Sequence, residues 1–213
     1  MIRLDIFSDP VCPWCLIGKT YLDRALESRP NHPFQIAWHP FQLNPDMPKA
    51  GVGHVDYLAG KFGGKERAIQ MMLQVADHAK KAGVEMAMDK VVRLPNTLDA
   101  HRLIHWAGIE GKQTAMVSRL FRAHWREGED IGDAATLARL AGEVGMETAA
   151  VARLLATDAD ADDILARDRD ARSKGVTAVP TFLIAQQYVV SGAQPPEMWQ
   201  QVIDELSEKL AKG

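Results

Sequence analysis

The sequence predicts an α/β protein whose strand-bearing N- and C-terminal parts enclose an all-helical insertion. Three observations carry this. Residues 2–8, "IRLDIFS", alternate apolar and polar residues and lead into a cysteine pair at the head of a helical pattern. From about His54 to Thr157 the apolar residues recur at helical spacing. Near the C-terminus "VPTFLIA" and "YVVSG" are β-branched and aromatic runs separated by Gln186 and Gln187, which is the pattern of a hairpin.

Taken in order, the first strand stops before Pro10. Leu16, Ile17, Tyr21, Leu22, Ala25 and Leu26 then follow helical spacing up to the Pro30 to Pro33 turn region, so Cys12 and Cys15 lie at a strand-to-helix junction. A second strand fits Phe34 to Leu43, and Pro40 marks it as an edge strand or one with an irregular end. Asn44 to Gly53, with Pro45, Pro48, Gly51 and Gly53, reads as a loop. In the helical block the stripes are Ile69, Met72, Leu73, Ala76 and Ala79; Leu98, Leu103, Ile104 and Ala107; Leu120, Phe121 and Trp125; and Leu137, Leu140, Ala141 and Val144. Asn96 followed by Asp99 resembles a capping arrangement, making "PNTLDAHRL" a helix start. Met71, Met72, Met86, Met88 and Met116 read as core filling. A polar helix over 159–173 precedes the hairpin, and an amphipathic helix follows Pro195 and Pro196. The expected organisation is a discontinuous domain, 1–53 and 158–213, around a helical insertion domain, 54–157.

Composition narrows the function classes. The 213 residues carry 25 basic and 28 acidic side chains, a balance that points to neither nucleic acid nor an anionic membrane as partner. No apolar run reaches the roughly 18 residues of a membrane span. The opening "MIRLDIFSDP" lacks the basic and apolar regions of a secretory signal, so a cytoplasmic location is expected.

That compartment bears on "SDPVCPWCLIGK", which holds both cysteines of the chain. A staple closed over two residues restricts the unfolded chain little, and structural disulfides are rare in a reducing cytosol. Structural zinc wants four ligands; there is no second cysteine pair, and His101 with His105 lacks the glutamate of H-E-x-x-H. No metal site is expected. Redox chemistry stands in front, because C-x-x-C opening a helix puts both sulfurs on one side of its first turn. The free amides and partial positive charge of the helix start favour a thiolate at Cys12, with Cys15 one turn deeper to resolve a mixed disulfide. Pro13 suits the first turn, where no N–H is needed. In "GVTAVPTFL", Gly175 to Leu183, Pro180 opens a strand. A cis bond there would let Val179 offer its backbone to an extended substrate, whereas a trans bond would make it a plain strand start.

"CPWC" after a first strand, "VPTF" before the third and a helical block between them resemble the DsbA-like branch of the thioredoxin superfamily over essentially the whole chain. Within it, "SDPVCPWCLIGK", "WHPFQLNP", "NTLDAHRL" and "GVTAVPTFLI...YVVSGAQP" look like the FrnE-like group, which is related to 2-hydroxychromene-2-carboxylate isomerase and kappa-class glutathione transferase. The resemblance implies a thioredoxin fold with an inserted all-helical domain, Cys12 as attacking thiol, Cys15 as resolving thiol and Pro180 as a cis-proline facing them. It also implies a dithiol–disulfide oxidoreductase with no bound cofactor. Its partners would be protein or small-molecule disulfides and thiols, glutathione among them as a redox partner; the oligomeric state stays open, with a dimer allowed. Two departures matter. DsbA carries histidine where this chain has Trp14, and the transferases and isomerases carry serine at the position of Cys12. The alternative function is a glutathione-dependent isomerase or transferase.

Further candidates carry two readings each. Trp14 is a substrate platform beside the thiols or a cover for the helix end. Asn96 is a ligand or a helix cap. His101 and Arg102 line a cleft or form an ordinary polar helix face. Asp9 accepts a proton near the thiols or shapes the turn. Ser191, in "SGAQ", holds the γ-glutamyl end of glutathione, as the related enzymes suggest, or belongs to a strand-to-helix turn.

Overall fold

The computed structural model describes residues 1–212. In chain order β1 (Ile2–Ser8), α1 (Pro13–Ser28) and β2 (Phe34–Pro40) come first. There follow β3 (Val52–Gly53), α2 (His54–Phe62), α3 (Lys65–Lys81), β4 (Arg93–Leu94), α4 (Leu98–Ile109), α5 (Gln113–Arg122), α6 (Ala134–Glu143) and α7 (Thr148–Leu155). The chain closes with α8 (Ala161–Ser173), β5 (Thr181–Ile184), β6 (Tyr188–Ser191) and α9 (Pro196–Lys212). A π-helical turn, Ala123–Glu127, continues α5.

The main sheet runs β2-β1-β5-β6. β1 is parallel to β2 and antiparallel to β5, and β5 is antiparallel to β6. Paired on both sides, β1 buries Leu4 and Ile6 completely or nearly so. On the β5 side the core is closed by α9, whose Trp199 sets its ring edge-on to Phe182 at 4.7 Å between centroids. The β5–β6 connection puts Ala185 and Gln186 at φ of 53° and 58°, the left-handed conformation of tight hairpin turns, here taken by non-glycine residues.

β2 is an edge strand, as Pro40 indicated, but it ends at Pro40 instead of running on to Leu43. Side chains of α8 take the next backbone groups. Asp168 accepts the Gln42 N–H at 2.8 Å, Arg172 donates to the Gln42 carbonyl, and the Arg172 guanidinium lies 4.0 Å from the centre of the Phe41 ring. The open edge itself is satisfied at Trp38 by Gln113 of α5, whose amide accepts the Trp38 N–H at 2.9 Å and donates to its carbonyl at 3.1 Å.

Met116, Leu120, Phe121, Leu137 and Leu140 fill the core of α5 and α6. The block also contributes β4 to a two-residue antiparallel pair with β3. α3 departs from its expected stripe: Ile69 is 56% and Leu73 64% exposed, while Ala68, Val75 and Ala79 are buried. The physical reason lies in side-chain size, since Ala79 and Ala82 allow the end of this segment to approach Ile17 of α1 closely. Asn96 and Arg102 serve the fold. The Asn96 amide donates to the Met47 carbonyl at 2.6 Å and accepts the Leu98 N–H at 2.9 Å, tying the loop after β2 to the start of α4. Arg102 is buried, pairs with Asp99, and donates to the carbonyl of Leu154 in the last turn of α7 and to those of Thr157 and Ala159 beyond it.

Candidate active site

The site begins where β1 runs out. Asp9 to Cys12 form a turn in which the Cys12 N–H donates to the Asp9 carbonyl at 2.9 Å, with Pro10 as its second residue. Three neighbours fix this turn. Asp9, fully buried, accepts the Leu43 N–H at 2.7 Å, the Trp125 indole donates to the Pro10 carbonyl at 3.0 Å, and β1 holds the entry. Cys12 is the N-cap of α1 with extended backbone, and Pro13 occupies the first helical position. The Cys12 carbonyl accepts the N–H groups of Cys15 and Leu16 at 3.1 and 3.3 Å, so the second cysteine lies one turn into the helix.

Both thiols are free and nearly covered, Cys12 at 3% and Cys15 at 1% exposure. Burial pushes the Cys15 thiol well above its usual range, and hydrogen bonding and charge from Cys12 push it the same way. Opposite them the Val179–Pro180 bond is cis, and Cys12 Sγ lies 3.7 Å from the Val179 carbonyl oxygen. Gly18 permits this approach. A Cβ there would stand 3.0 Å from Pro180 Cγ and 3.4 Å from Ala193 Cα, closer than packed atoms tolerate without movement.

Cys12 opens onto a chamber of about 300 Å³. Pro13, Trp14 and Val179 line it, together with residues from the loop after β2, from α2 and α3, and Trp125 from the π turn. Met71, Met72 and Met88 belong to this wall and not to the core; only Met116 of the methionines in the block is fully buried. Trp14 also sets its ring edge-on to His78 of α3 at 4.9 Å between centroids. His54, at the start of α2, is a buried wall residue whose protonation is disfavoured by burial.

Asn96, His101 and Ser191 do not line the chamber. His101 is buried beneath the turn that carries the cysteines, with its Nε2 3.6 Å from Asp9 Oδ1 and without a hydrogen-bond partner among the described residues. Ser191 is exposed at the end of β6, and the adjacent Gly192 N–H donates to the Pro180 carbonyl at 2.8 Å. This arrangement fits the strand-to-helix turn reading of "SGAQ". No local pattern marks Tyr57, Lys61 or the wall-forming side of α3, and Trp125 fits a helical stripe; only tertiary packing brings these residues to the chamber. Gly18 lies in the cysteine helix itself, and only its contact with Pro180 is tertiary.

Chemically, a thiol at a helix N-cap with a second, protonated thiol one turn below it and a backbone carbonyl opposite is suited to exchange at sulfur. Comparison with known proteins agrees with the architecture. The chain is 29% identical to the uncharacterised protein YwbO of Bacillus subtilis over 209 residues, 98% of either chain. It superposes with a TM-score of 0.85 on a probable DsbA oxidoreductase from Streptomyces coelicolor, 29% identical, covering 96% of this chain and 89% of that one. The cytosolic disulfide reductase DsbM of Pseudomonas aeruginosa, in its structure with GSH, shares the fold at 21% identity and a TM-score of 0.71, over 97% and 99% of the two chains. So does 2-hydroxychromene-2-carboxylate isomerase, at 15% identity and 0.73, over 99% and 98%. A family model described as the DSBA-like thioredoxin domain matches residues 3–204, and with both cysteines, Pro180 and the helical block inside that span the chain belongs to the DsbA-like thioredoxin family.

Proposed function

We propose that this protein is a dithiol–disulfide oxidoreductase working through Cys12 and Cys15. The observation that carries the reading is the placement of Cys12 Sγ at the N-cap of α1, 3.7 Å from the Val179 carbonyl, with Cys15 buried behind it. Cys12 attacks a substrate disulfide from the helix start, where the partial positive charge of the helix favours an anionic sulfur. The substrate S–S bond breaks, one substrate thiolate leaves, and Cys12 holds the other half as a mixed disulfide. Before attack, Cys15 is kept protonated by burial and by the neighbouring Cys12. Once Cys12 is in a disulfide it carries no charge, so its share of that effect disappears and the Cys15 proton is held less firmly. Cys15 then attacks Cys12 Sγ, expels the second substrate thiolate and closes the Cys12–Cys15 bond, which another thiol resets. Val179 offers its backbone to the substrate chain beside the reacting sulfurs, Pro13 and Trp14 border it, and Pro180 faces them.

No helix among the described residues is long and apolar enough to cross a membrane. A cytoplasmic setting fits a protein whose cysteines are used for exchange. Glutathione enters as a redox partner, not as a cofactor. The rival, a glutathione-dependent isomerase or transferase, draws on the chamber beside Cys12 and the fold shared with the chromene isomerase. Assaying wild type and Cys12→Ser with glutathione, on a disulfide and on a panel of electrophiles, decides between them. Disulfide turnover that vanishes in Cys12→Ser supports exchange; isomerase or transferase turnover that persists in Cys12→Ser, with poor exchange by wild type, replaces it with the rival.

A further inference from the structure

The chamber carries two kinds of polar group on an apolar lining. The first is the Cys12 thiol with the Val179 carbonyl. The second is the Tyr57 hydroxyl, which donates to the Asn44 side chain and accepts from Lys61 Nζ at 2.9 Å. The walls around them are formed by Trp14, Leu58, Phe62, Met72, Val75 and Trp125.

Among the described residues, Lys61 is the only Lys, Arg, Asp or Glu that lines the chamber. It is exposed at the rim, and among the described residues no carboxylate lies within 4.0 Å of its ammonium. His54, the other titratable cation of the wall, is held toward neutrality by burial. The chamber therefore offers one positive charge that has no carboxylate partner, on Lys61, and no other charged side chain besides the Cys12 thiolate.

We propose that the chamber is a binding site for small thiols and disulfides that are apolar along their length and end in a single carboxylate, which Lys61 receives. This rests on the exchange reading above and names its substrate class. A volume of about 300 Å³ is at the small end of ligand sites, enough for one arm of a disulfide with the other arm leaving through the mouth. Flexible methionine walls accommodate different apolar shapes. Glutathione is a poorer occupant, because its two carboxylates and ammonium outnumber the single charged partner and the remainder would be left against apolar walls.

The step balances as follows. The Cys12 thiolate attacks R–S–S–R, giving the Cys12–R mixed disulfide and one thiolate, R–S⁻. Cys15 then attacks Cys12 Sγ and releases the second. Two electrons and two protons pass from the dithiol to the disulfide, leaving two R–SH and a Cys12–Cys15 bond.

The test is the oxidation of the reduced protein, followed by tryptophan fluorescence, with the symmetric disulfides of ω-mercaptohexanoate, of ω-mercaptohexanol and of glutathione. Each rate is divided by that of dithiothreitol with the same disulfide, which removes intrinsic reactivity. The normalised rate for the mercaptohexanoate disulfide is expected to exceed that for glutathione disulfide by about tenfold or more. Its preference over the alcohol-ended disulfide, about threefold, should collapse toward one in Lys61→Ala and invert in Lys61→Glu. Glutathione disulfide reacting as fast or faster, or a carboxylate preference unchanged in both variants, overturns the substrate class and leaves the exchange reading intact. If none of the three oxidises the protein, the exchange reading itself falls and takes this proposal with it.

Discussion

His124 gives this protein a built-in sensitivity to acid. It lies in the π turn, its ring edge-on to Trp125 at 4.8 Å between centroids, and Trp125 in turn holds the Pro10 carbonyl at the entrance to the cysteines. Burial lowers its pKa from 6.5 to about 4, and the nearby His54 adds to the effect, against opposing contributions from the Glu129 backbone and Asp9. Between these two values the unfolded chain binds a proton that the folded chain refuses, so stability is lost as pH falls from about 6.5 toward 4. From about pH 7.5 to about pH 4.5 the loss attributable to this one group is about 2.5 kcal/mol. The perturbation is His124→Asn, whose amide can keep the bond to the Glu129 backbone while removing the titration. Urea unfolding of both proteins at the two pH values is the assay. Wild type should lose about 2.5 kcal/mol more than the variant over that interval. Equal losses in the two proteins would refute the reasoning, since they would mean that His124 titrates alike in the folded and unfolded chains.

Gly18→Ala replaces a helical glycine, a change that normally stabilises by about 1 kcal/mol, but here its Cβ would stand 3.0 Å from Pro180 Cγ and 3.4 Å from the Ala193 backbone. Overpacking of about 1–3 kcal/mol should win, with a net loss in urea unfolding and slower exchange at Cys12; a gain in stability would contradict the close approach. Trp199→Ala should cost about 3–5 kcal/mol because the side chain is fully buried against Phe182. Trp199→Phe should cost less than about 1.5 kcal/mol, since the buried indole N–H it removes has no hydrogen-bond partner; a larger loss in unfolding experiments would mean that this N–H is satisfied.

What could be read from the sequence was local in origin. The cysteines at a strand-to-helix junction follow from the alternation of residues 2–8 and the helical spacing that starts at Leu16. The edge position of β2 follows from Pro40, and the hairpin from two β-rich runs set two residues apart. Where a segment's fate was decided by a distant partner, the pattern misled. Residues 41–43 look like more strand, yet Asp168 and Arg172, more than a hundred residues away, take the backbone of Gln42. The α3 stripe favours its larger apolar residues, yet the helix packs through alanines and leaves Ile69 and Leu73 exposed. The same holds at the site. Cys12 and Cys15 are legible from spacing, but the chamber is built from the loop after β2, α2, α3 and the π turn, and no local signal joins them. Asn96 and His101 stand out in the sequence as polar residues of one motif; in the fold one ties a loop and the other lies beside Asp9.

Cys12 and Cys15 divide the labour of exchange, and trapping the mixed disulfide shows which of them attacks. Cys12→Ser and Cys15→Ser are each reduced, exposed to a disulfide substrate, and analysed intact by mass spectrometry without reductant. Cys15→Ser should accumulate a mixed disulfide at Cys12, because the attacking thiolate remains and nothing resolves the product. Cys12→Ser should form little or none, its remaining thiol being buried behind the helix start and held protonated by that burial. Equal trapping by the two variants, or trapping confined to Cys12→Ser, would contradict the account.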